Sequence, residues 1–199
     1  MKDYVRDTLQ YYRENTMRFI EKTKNADMEY LYNVFEKYIN PGGNILDLGC
    51  GTGRDSKHFI QEGYQVTAID GSSELCDYAA EEIGQPVRCM LFSQLDYKEK
   101  FDGIWASASL LHVSKEDIDN IIELLYKALK PEGYLYVSFK HGDFEGMRDN
   151  KYYSDYTVND VRKLFDGHSR FTIAEYVEGE DVRDDIDTEW VNVVVRRAD

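Results

Sequence analysis

The sequence predicts an α/β fold built on a parallel sheet, and three observations predict it. Short β-rich runs alternate with helical patterns along most of the chain, the signature of βαβ units. A glycine-rich turn, Gly49-Cys50-Gly51-Thr52-Gly53, stands where the first such run meets a helix. An aspartate, Asp70, closes the second run, at the end of a strand where an α/β sheet holds its ligands.

Composition agrees with one globular domain. The 199 residues are 42% hydrophobic and 31% charged with three prolines, which excludes a disordered or collagen-like chain. There are 24 Lys+Arg against 38 Asp+Glu, a net charge of −14. That balance argues against a nucleic-acid partner, since phosphate binding needs a basic patch. A neutral or cationic small molecule remains compatible. Cys50, Cys76 and Cys89 form no C-x-x-C pair, so neither a disulfide framework nor a zinc site is expected. Unpaired thiols suit a reducing compartment. Charges within Met1–Asp7 replace the apolar run of a signal peptide, and no stretch approaches the ~20 apolar residues of a bilayer span. The expectation is a cytoplasmic protein.

The elements follow in order. About forty residues of helical character come first, with Tyr11, Tyr12, Phe19 and Ile20 in one segment and Met28, Leu31, Tyr32, Phe35 and Tyr38 in a second. The second is expected to pack on the sheet through its apolar stripe. The first can do the same, or fold over a ligand, and residues 1–40 are read as a helical lid on a core of residues 41–199. Asn44–Leu48 is the first buried strand, and Arg54–Glu62 a short helix stopped by Gly63, which tolerates the left-handed cap. Gln65–Asp70 is the second strand. Ser72 caps a helix to about Ile83, ended by Gly84. Pro86–Met90 and Phe101–Ala106 are strands three and four. Ser114 and Asp117 read as a capping box for a helix carrying Ile118, Ile121, Ile122, Leu125 and Leu129, which Pro131 stops. Tyr134–Phe139 is the fifth strand. Phe171–Val177 and Trp190–Val195 read as a terminal hairpin around an acidic stretch, Glu178, Glu180, Asp181, Asp184, Asp185 and Asp187. Its spacing matches no EF-hand, and no metal site is expected there.

Glycines at a strand-to-helix turn permit positive φ and let a ligand approach the backbone, beside the unpaired N–H groups of the helix. Asp70, 21 residues beyond Gly49, can accept both hydroxyl hydrogens of a ribose. A dinucleotide fingerprint asks for G-x-G-x-x-G/A, and Arg54 stands at its third small position. A G-K-[ST] sequence is absent as well, which removes a P-loop.

The sequence here resembles the class I S-adenosylmethionine-dependent methyltransferases. The matching residues are Ile45–Gly53, then Ala68-Ile69-Asp70, then Phe101-Asp102, then Leu129–Leu135. Gly51-x-Gly53-Arg54-Asp55-Ser56, Ala106–Val113 and Ser138-Phe139-Lys140 further resemble a small bacterial subgroup that includes tellurite-resistance-like proteins. The resemblance implies a three-layer sandwich whose seven-stranded sheet is mostly parallel with an antiparallel last strand. It also implies S-adenosylmethionine as cofactor. Gly49, Cys50 and Gly51 would lie against its methionine part and ribose, with Asp47 acting from behind the loop. Asp70 would bind the ribose hydroxyls with Gly71 and Ser72 beside it. Met90, Leu91 and Phe92 would meet the adenine, and Ser107 the sulfonium. Tyr12, with Asn15, matches a pattern in the subgroup's lid.

A sulfonium methyl is already activated, so transfer needs alignment more than acid–base help. A base is required only where the acceptor must lose a proton. His112 is the candidate, because histidine titrates near neutrality, although a purely local hydrogen bond would also explain it. His141, just past the fifth strand, is a weaker candidate, and His58 is read as packing. Of sixteen tyrosines, Tyr11, Tyr12, Tyr152, Tyr153 and Tyr156 fall in segments that can cover the cleft and attract a cation. Arg54, Lys140 and Arg148 can pair with the methionine carboxylate or a substrate anion. The function expected is methyl transfer to a small molecule. Alternatives are a nicotinamide-dependent oxidoreductase, disfavoured by Arg54, and a non-catalytic S-adenosylmethionine-binding module.

Overall fold

The computed structural model describes residues 1–166, 170–181 and 188–198. Three helices lead, α1 (Asp3–Glu14), α2 (Thr16–Thr23) and α3 (Glu29–Glu36). The alternating core is β1 (Asn44–Leu48), α4 (Arg54–Gln61), β2 (Gln65–Asp70), α5 (Ser73–Ile83), β3 (Arg88–Cys89), β4 (Phe101–Ala106), α6 (Ile118–Ala128) and β5 (Leu129–Lys140). A hairpin, β6 (Glu145–Arg148) and β7 (Lys151–Ser154), precedes α7 (Val158–Asp166), β8 (Phe171–Glu180) and β9 (Glu189–Arg197).

The main sheet has seven strands in the order β3-β2-β1-β4-β5-β9-β8. Strands β1 to β5 run parallel, and β9 lies antiparallel between β5 and β8. The expected α/β sandwich with an antiparallel last strand is what the chain forms. Its central strands are buried on both faces, so β1 and β4 read as nearly unbroken apolar runs rather than alternating ones. On one face Ile45, Trp105 and Tyr136 pack against Met28, Tyr32, Phe35 and Phe59, from α3, the turn ahead of it, and α4. On the other, Leu46, Ile104 and Val137 meet Ile118, Ile122 and Leu125 of α6 and Val161 and Phe165 of α7. The expected apolar stripe of the second N-terminal segment therefore packs on the sheet.

Several local expectations differ. The helical segment before Asn15 and the one after it are separate helices, because Asn15 caps α1 and turns its amide onto the Tyr11 carbonyl. Ser114 Oγ accepts the Asp117 N–H at 3.2 Å and donates to Asp117 Oδ2 at 2.9 Å, but the Ser114 N–H goes to Tyr4 Oη, so the expected box closes on one side only and as a turn ahead of α6, which starts at Ile118. Asp117 is also claimed by Tyr4 and Lys2 from the N-terminus. The helix ends at Ala128 rather than Pro131, since a proline already denies helical geometry to the residue before it. The third strand shrinks to Arg88–Cys89. The β6–β7 hairpin and α7 were not expected. Glu178 and Glu180 belong to β8, an edge strand on which charges are tolerated. Asp184, Asp185 and Asp187 lie outside the described residues.

Candidate active site

The site forms at the carboxyl ends of the parallel strands, where an α/β sheet leaves its crevice. Gly49 leaves β1 with φ +79°, and a Cβ there would stand 2.7 Å from Ser109 Cβ. Gly53, φ +76°, lets α4 start against α5, with a Cβ only 3.1 Å from Ala79 Cβ and Ile83 Cγ2. Only glycine combines that conformation with that approach. Asp70 ends β2 beside this loop. Its Oδ2 accepts the Gly51 N–H at 3.0 Å and its Oδ1 the Ser72 N–H at 2.8 Å. Burial pushes its pKa up against those backbone donors. Both oxygens keep lone pairs for further donors.

Behind the loop lies a buried charge network. Asp55 accepts from Tyr32 Oη (2.5 Å), Arg54 Nε (2.6 Å) and Trp105 Nε1 (2.8 Å). Burial alone would raise its pKa, but the Arg54 charge and these donors more than offset that and hold it below the usual range. Asp47 accepts from Ser56 Oγ at 2.6 Å, and burial followed by the Asp55 charge pushes it up to about 8. Of two neighbouring buried carboxyls, one is the carboxylate and the other holds its proton.

Helices α1 and α2 cover the strand ends. Leu9 reaches to within 2.7 Å of where a Gly71 Cβ would be, and Phe19 lies over Gly51. Thr8 Oγ1 accepts the Tyr152 N–H at 2.9 Å, and Arg54 Nη1 donates to the Thr23 carbonyl at 3.0 Å. Tyr12 Oη and His112 Nε2 are 2.8 Å apart, while His112 Nδ1 is 2.6 Å from the Tyr152 carbonyl. A carbonyl can only accept, so Nδ1 carries the proton and Nε2 accepts from Tyr12. Burial pulls His112 down to about 4, against the Tyr152 bond and helped by the Lys151 and Lys140 charges.

What remains between helices and sheet is a cavity of about 1680 Å³, above the roughly 300–1,000 Å³ of ordinary ligand clefts. Tyr12, Gly49, Cys50, Gly51, Arg54, Asp70, Gly71, Leu91, Ser107 and His112 all line it. Met90, Phe92 and Ser109 do too, and among the described residues Ser109 Oγ is buried with no hydrogen-bond partner. Asp47 and Ser72 are not on the wall. Ser72 is spent capping α5, accepting from Leu75 N, and Asp47 stays one layer behind.

Residues 45–133 match the family described as a methyltransferase domain. Over that stretch the chain is similar to methyltransferase domains. YqeM of Bacillus subtilis, named provisionally as a methyltransferase, is 30% identical over 158 residues, covering 72% of this chain and 51% of that one. This chain thus spans about half the length of that curated relative. The 1,6-didemethyltoxoflavin-N1-methyltransferase of Burkholderia thailandensis, solved with 1,6-didemethyltoxoflavin and S-adenosylhomocysteine, superposes with a TM-score of 0.81 at 21% identity, over 99% of this chain and 90% of its own. An S-adenosylmethionine-dependent methyltransferase of Methanosarcina mazei gives 0.73 at 22%, over 84% and 98%. The fold is that of the S-adenosylmethionine-dependent methyltransferases.

In this fold His141 turns to Glu189 at 3.2 Å and His58 stacks on Tyr32 at 3.9 Å, so neither joins the cavity. Arg148 is held by both oxygens of Asp155 at 2.8 Å. Lys151 lines the cavity and was not singled out in the sequence. The β6–β7 turn just before it, Asp149-Asn150 with φ of 52° and 61°, is a hairpin signal that the sequence does contain. Among the described residues no helix is long and apolar enough to cross a membrane, and no cluster of three His, Cys, Asp or Glu can hold a metal ion.

Proposed function

We propose that this chain transfers the methyl group of S-adenosylmethionine to a small-molecule acceptor. The observation that carries the reading is the Asp70 carboxylate beside the bare Gly49–Gly51 backbone, inside a cavity at the strand ends. Residues and cofactor fit. Asp70 keeps lone pairs for ribose hydroxyls. Gly49, Cys50 and Gly51 offer backbone to the sugar and methionine part, and Gly71 leaves room beside them. Met90, Leu91 and Phe92 supply an apolar wall for adenine. Ser107 and the unpartnered Ser109 hydroxyl stand where the reacting end would lie. The cofactor supplies an activated methyl on a sulfonium.

The remaining assignments are positional. Asp47, through Ser56, and Ser72, through its N–H on Asp70, brace the loop and the acid from behind. Arg54 ties the end of α2 to the loop through Thr23. Residues 1–40 act as a lid over the core of residues 41–199, excluding water from the reaction. Tyr12 and His112 face the acceptor as a hydrogen-bonded unit, His112 serving to hold the tyrosine hydroxyl. The likeness of Arg54-Asp55-Ser56 and Ala106–Val113 to the small bacterial, tellurite-resistance-like subgroup supports membership of it. Small acceptors are supported by the 1,6-didemethyltoxoflavin bound in the Burkholderia enzyme, and the net charge of −14 speaks against nucleic acid. Three free cysteines fit a cytoplasmic setting.

Calorimetry with S-adenosylhomocysteine tests this. Uptake is expected, and Asp70→Ala should weaken it by about 10- to 100-fold, since a hydrogen bond to a charged group contributes ~1.5–3 kcal/mol. No uptake by the wild type, or undiminished uptake by the variant, removes the reading.

A further inference from the structure

We propose that Cys76 and Cys89 form a redox-active thiol pair, oxidised by hydrogen peroxide, whose disulfide weakens the nucleoside end of the cavity. The pair stands on the placement of its two sulfurs, and its effect on cofactor uptake rests on the reading above.

The topology brings together two cysteines that no sequence motif pairs. Cys76 lies in α5 and Cys89 in β3, the edge strand, where it stands opposite Asp70 in the parallel register. Both thiols turn to consecutive carbonyls of one turn. Cys76 Sγ donates to the Asp70 oxygen at 3.5 Å and Cys89 Sγ to the Gly71 oxygen at 3.9 Å. The Cys89 side chain is close enough to Cys76 to help keep it protonated. Cys89 is exposed and Cys76 is buried, so one sulfur meets solvent while the other waits behind it. The pair stands at the back of Asp70 and Gly71, which line the cavity. The third thiol, Cys50, is buried in the glycine turn on the cavity wall.

The two sulfurs have different chemistry. A thiolate, not a thiol, attacks an oxidant. Burial, and after it the Asp70 charge, pushes the Cys76 thiol well above its ordinary value, which leaves Cys89 as the sulfur that reacts first. Its thiolate attacks one oxygen of hydrogen peroxide, the O–O bond breaks, and hydroxide leaves a sulfenic acid behind. The Cys76 sulfur then attacks the Cys89 sulfur. The S–S bond forms, the S–O bond breaks, and the departing hydroxide takes the Cys76 proton as water. Two thiols lose two electrons and two protons, and the peroxide becomes two waters. A neutral thiol is a slow nucleophile, but one held against its target needs no encounter. Disulfides of reducing compartments are of this transient, sensing kind.

Closure reaches the site through Asp70 and β3. The Asp70 carbonyl also accepts the Met90 N–H at 2.9 Å, and Met90 and Leu91 run on from Cys89 into the cavity wall. A covalent sulfur–sulfur bond is far shorter than a contact between thiols. Forming it removes both S–H donors from the carbonyls of residues 70 and 71 and draws Cys89 towards α5, which displaces the acid and the apolar wall together.

The test is treatment with hydrogen peroxide and removal of the oxidant, then peptide mapping without reductant and calorimetry with S-adenosylhomocysteine. The map should show one linkage, Cys76 to Cys89, with Cys50 still a thiol. The oxidised protein should bind at least about tenfold more weakly than the reduced one, ~1.4 kcal/mol. Dithiothreitol should restore the affinity, which separates the pair from oxidation of methionine. Cys89→Ser, an exposed position, should keep the affinity of the reduced wild type and lose the response to peroxide. A map without that linkage, a linkage through Cys50, an oxidised protein of unchanged affinity, or an equal response in Cys89→Ser overturns the proposal. Where the reduced protein takes up no S-adenosylhomocysteine, the cofactor reading falls and the map alone decides the pair.

Discussion

Tyr12 and His112 are 100 residues apart in sequence and joined by a hydrogen bond of 2.8 Å. The bond links helix α1 to the segment after β4, and it fixes the histidine's tautomer because the Tyr152 carbonyl takes the other ring nitrogen. The covering helices are thereby registered on the sheet through a residue of the cavity wall.

Tyr12→Phe should orphan His112 Nε2. An unsatisfied buried acceptor costs about 1–3 kcal/mol, and a domain of this size loses ~2–4 °C in Tm per kcal/mol. A melting curve checks the shift. An unchanged Tm would mean that water replaces the hydroxyl at no cost.

Arg54→Gln should be among the most damaging single changes. It removes the counter-charge of the buried Asp55 carboxylate and the tie to Thr23, a loss of about 3–5 kcal/mol for a broken buried pair. The double variant Arg54→Gln/Asp55→Asn should recover part of that in denaturant titration, because no charge is then left buried alone.

Gly49→Ala should abolish S-adenosylhomocysteine binding before it unfolds the protein. The left-handed conformation costs an alanine ~1–2 kcal/mol, and its Cβ at 2.7 Å from Ser109 Cβ forces the loop to move. Titration calorimetry and melting, read together, separate the two effects.

Stability should depend on pH through Asp47 and His112 with opposite slopes. Asp47 titrates at about 8 in the fold and near 3.9 unfolded. Its contribution is complete below the unfolded value and is lost as pH rises through about 8. His112 titrates at about 4 in the fold and near 6.5 unfolded, so its contribution is complete above 6.5 and is lost as pH falls towards 4. Between about 4 and 6.5 the two slopes oppose each other, and between about 6.5 and 8 only Asp47 acts, by at most ~1.4 kcal/mol per pH unit. Asp47→Asn should flatten that upper interval in urea titrations. A variant curve parallel to the wild type there would show Asp47 to be ionised in the fold.

Local chemistry carried much of the sequence reading. The run Asn44–Leu48, the left-handed glycines and Asp70 each act through their nearest neighbours, so the sheet and the loop-and-acid pair were legible. The Thr157–Asp160 capping box, which closes at 2.6 Å between Thr157 Oγ1 and Asp160 Oδ2, was an equally local signal for α7 that went unread, as was Asp149-Asn150 for the hairpin.

By itself the sequence determined the α/β class, the turn that bares its backbone and the acid beside it, because those depend on periodicity and on the φ range of single residues. Only the tertiary structure decided which carboxyl of Asp47 and Asp55 keeps its proton, that Arg54 faces an internal partner, and that Tyr12, His112 and Tyr153 share one wall. Those outcomes depend on burial and on distances between residues far apart in the chain, which no local pattern encodes.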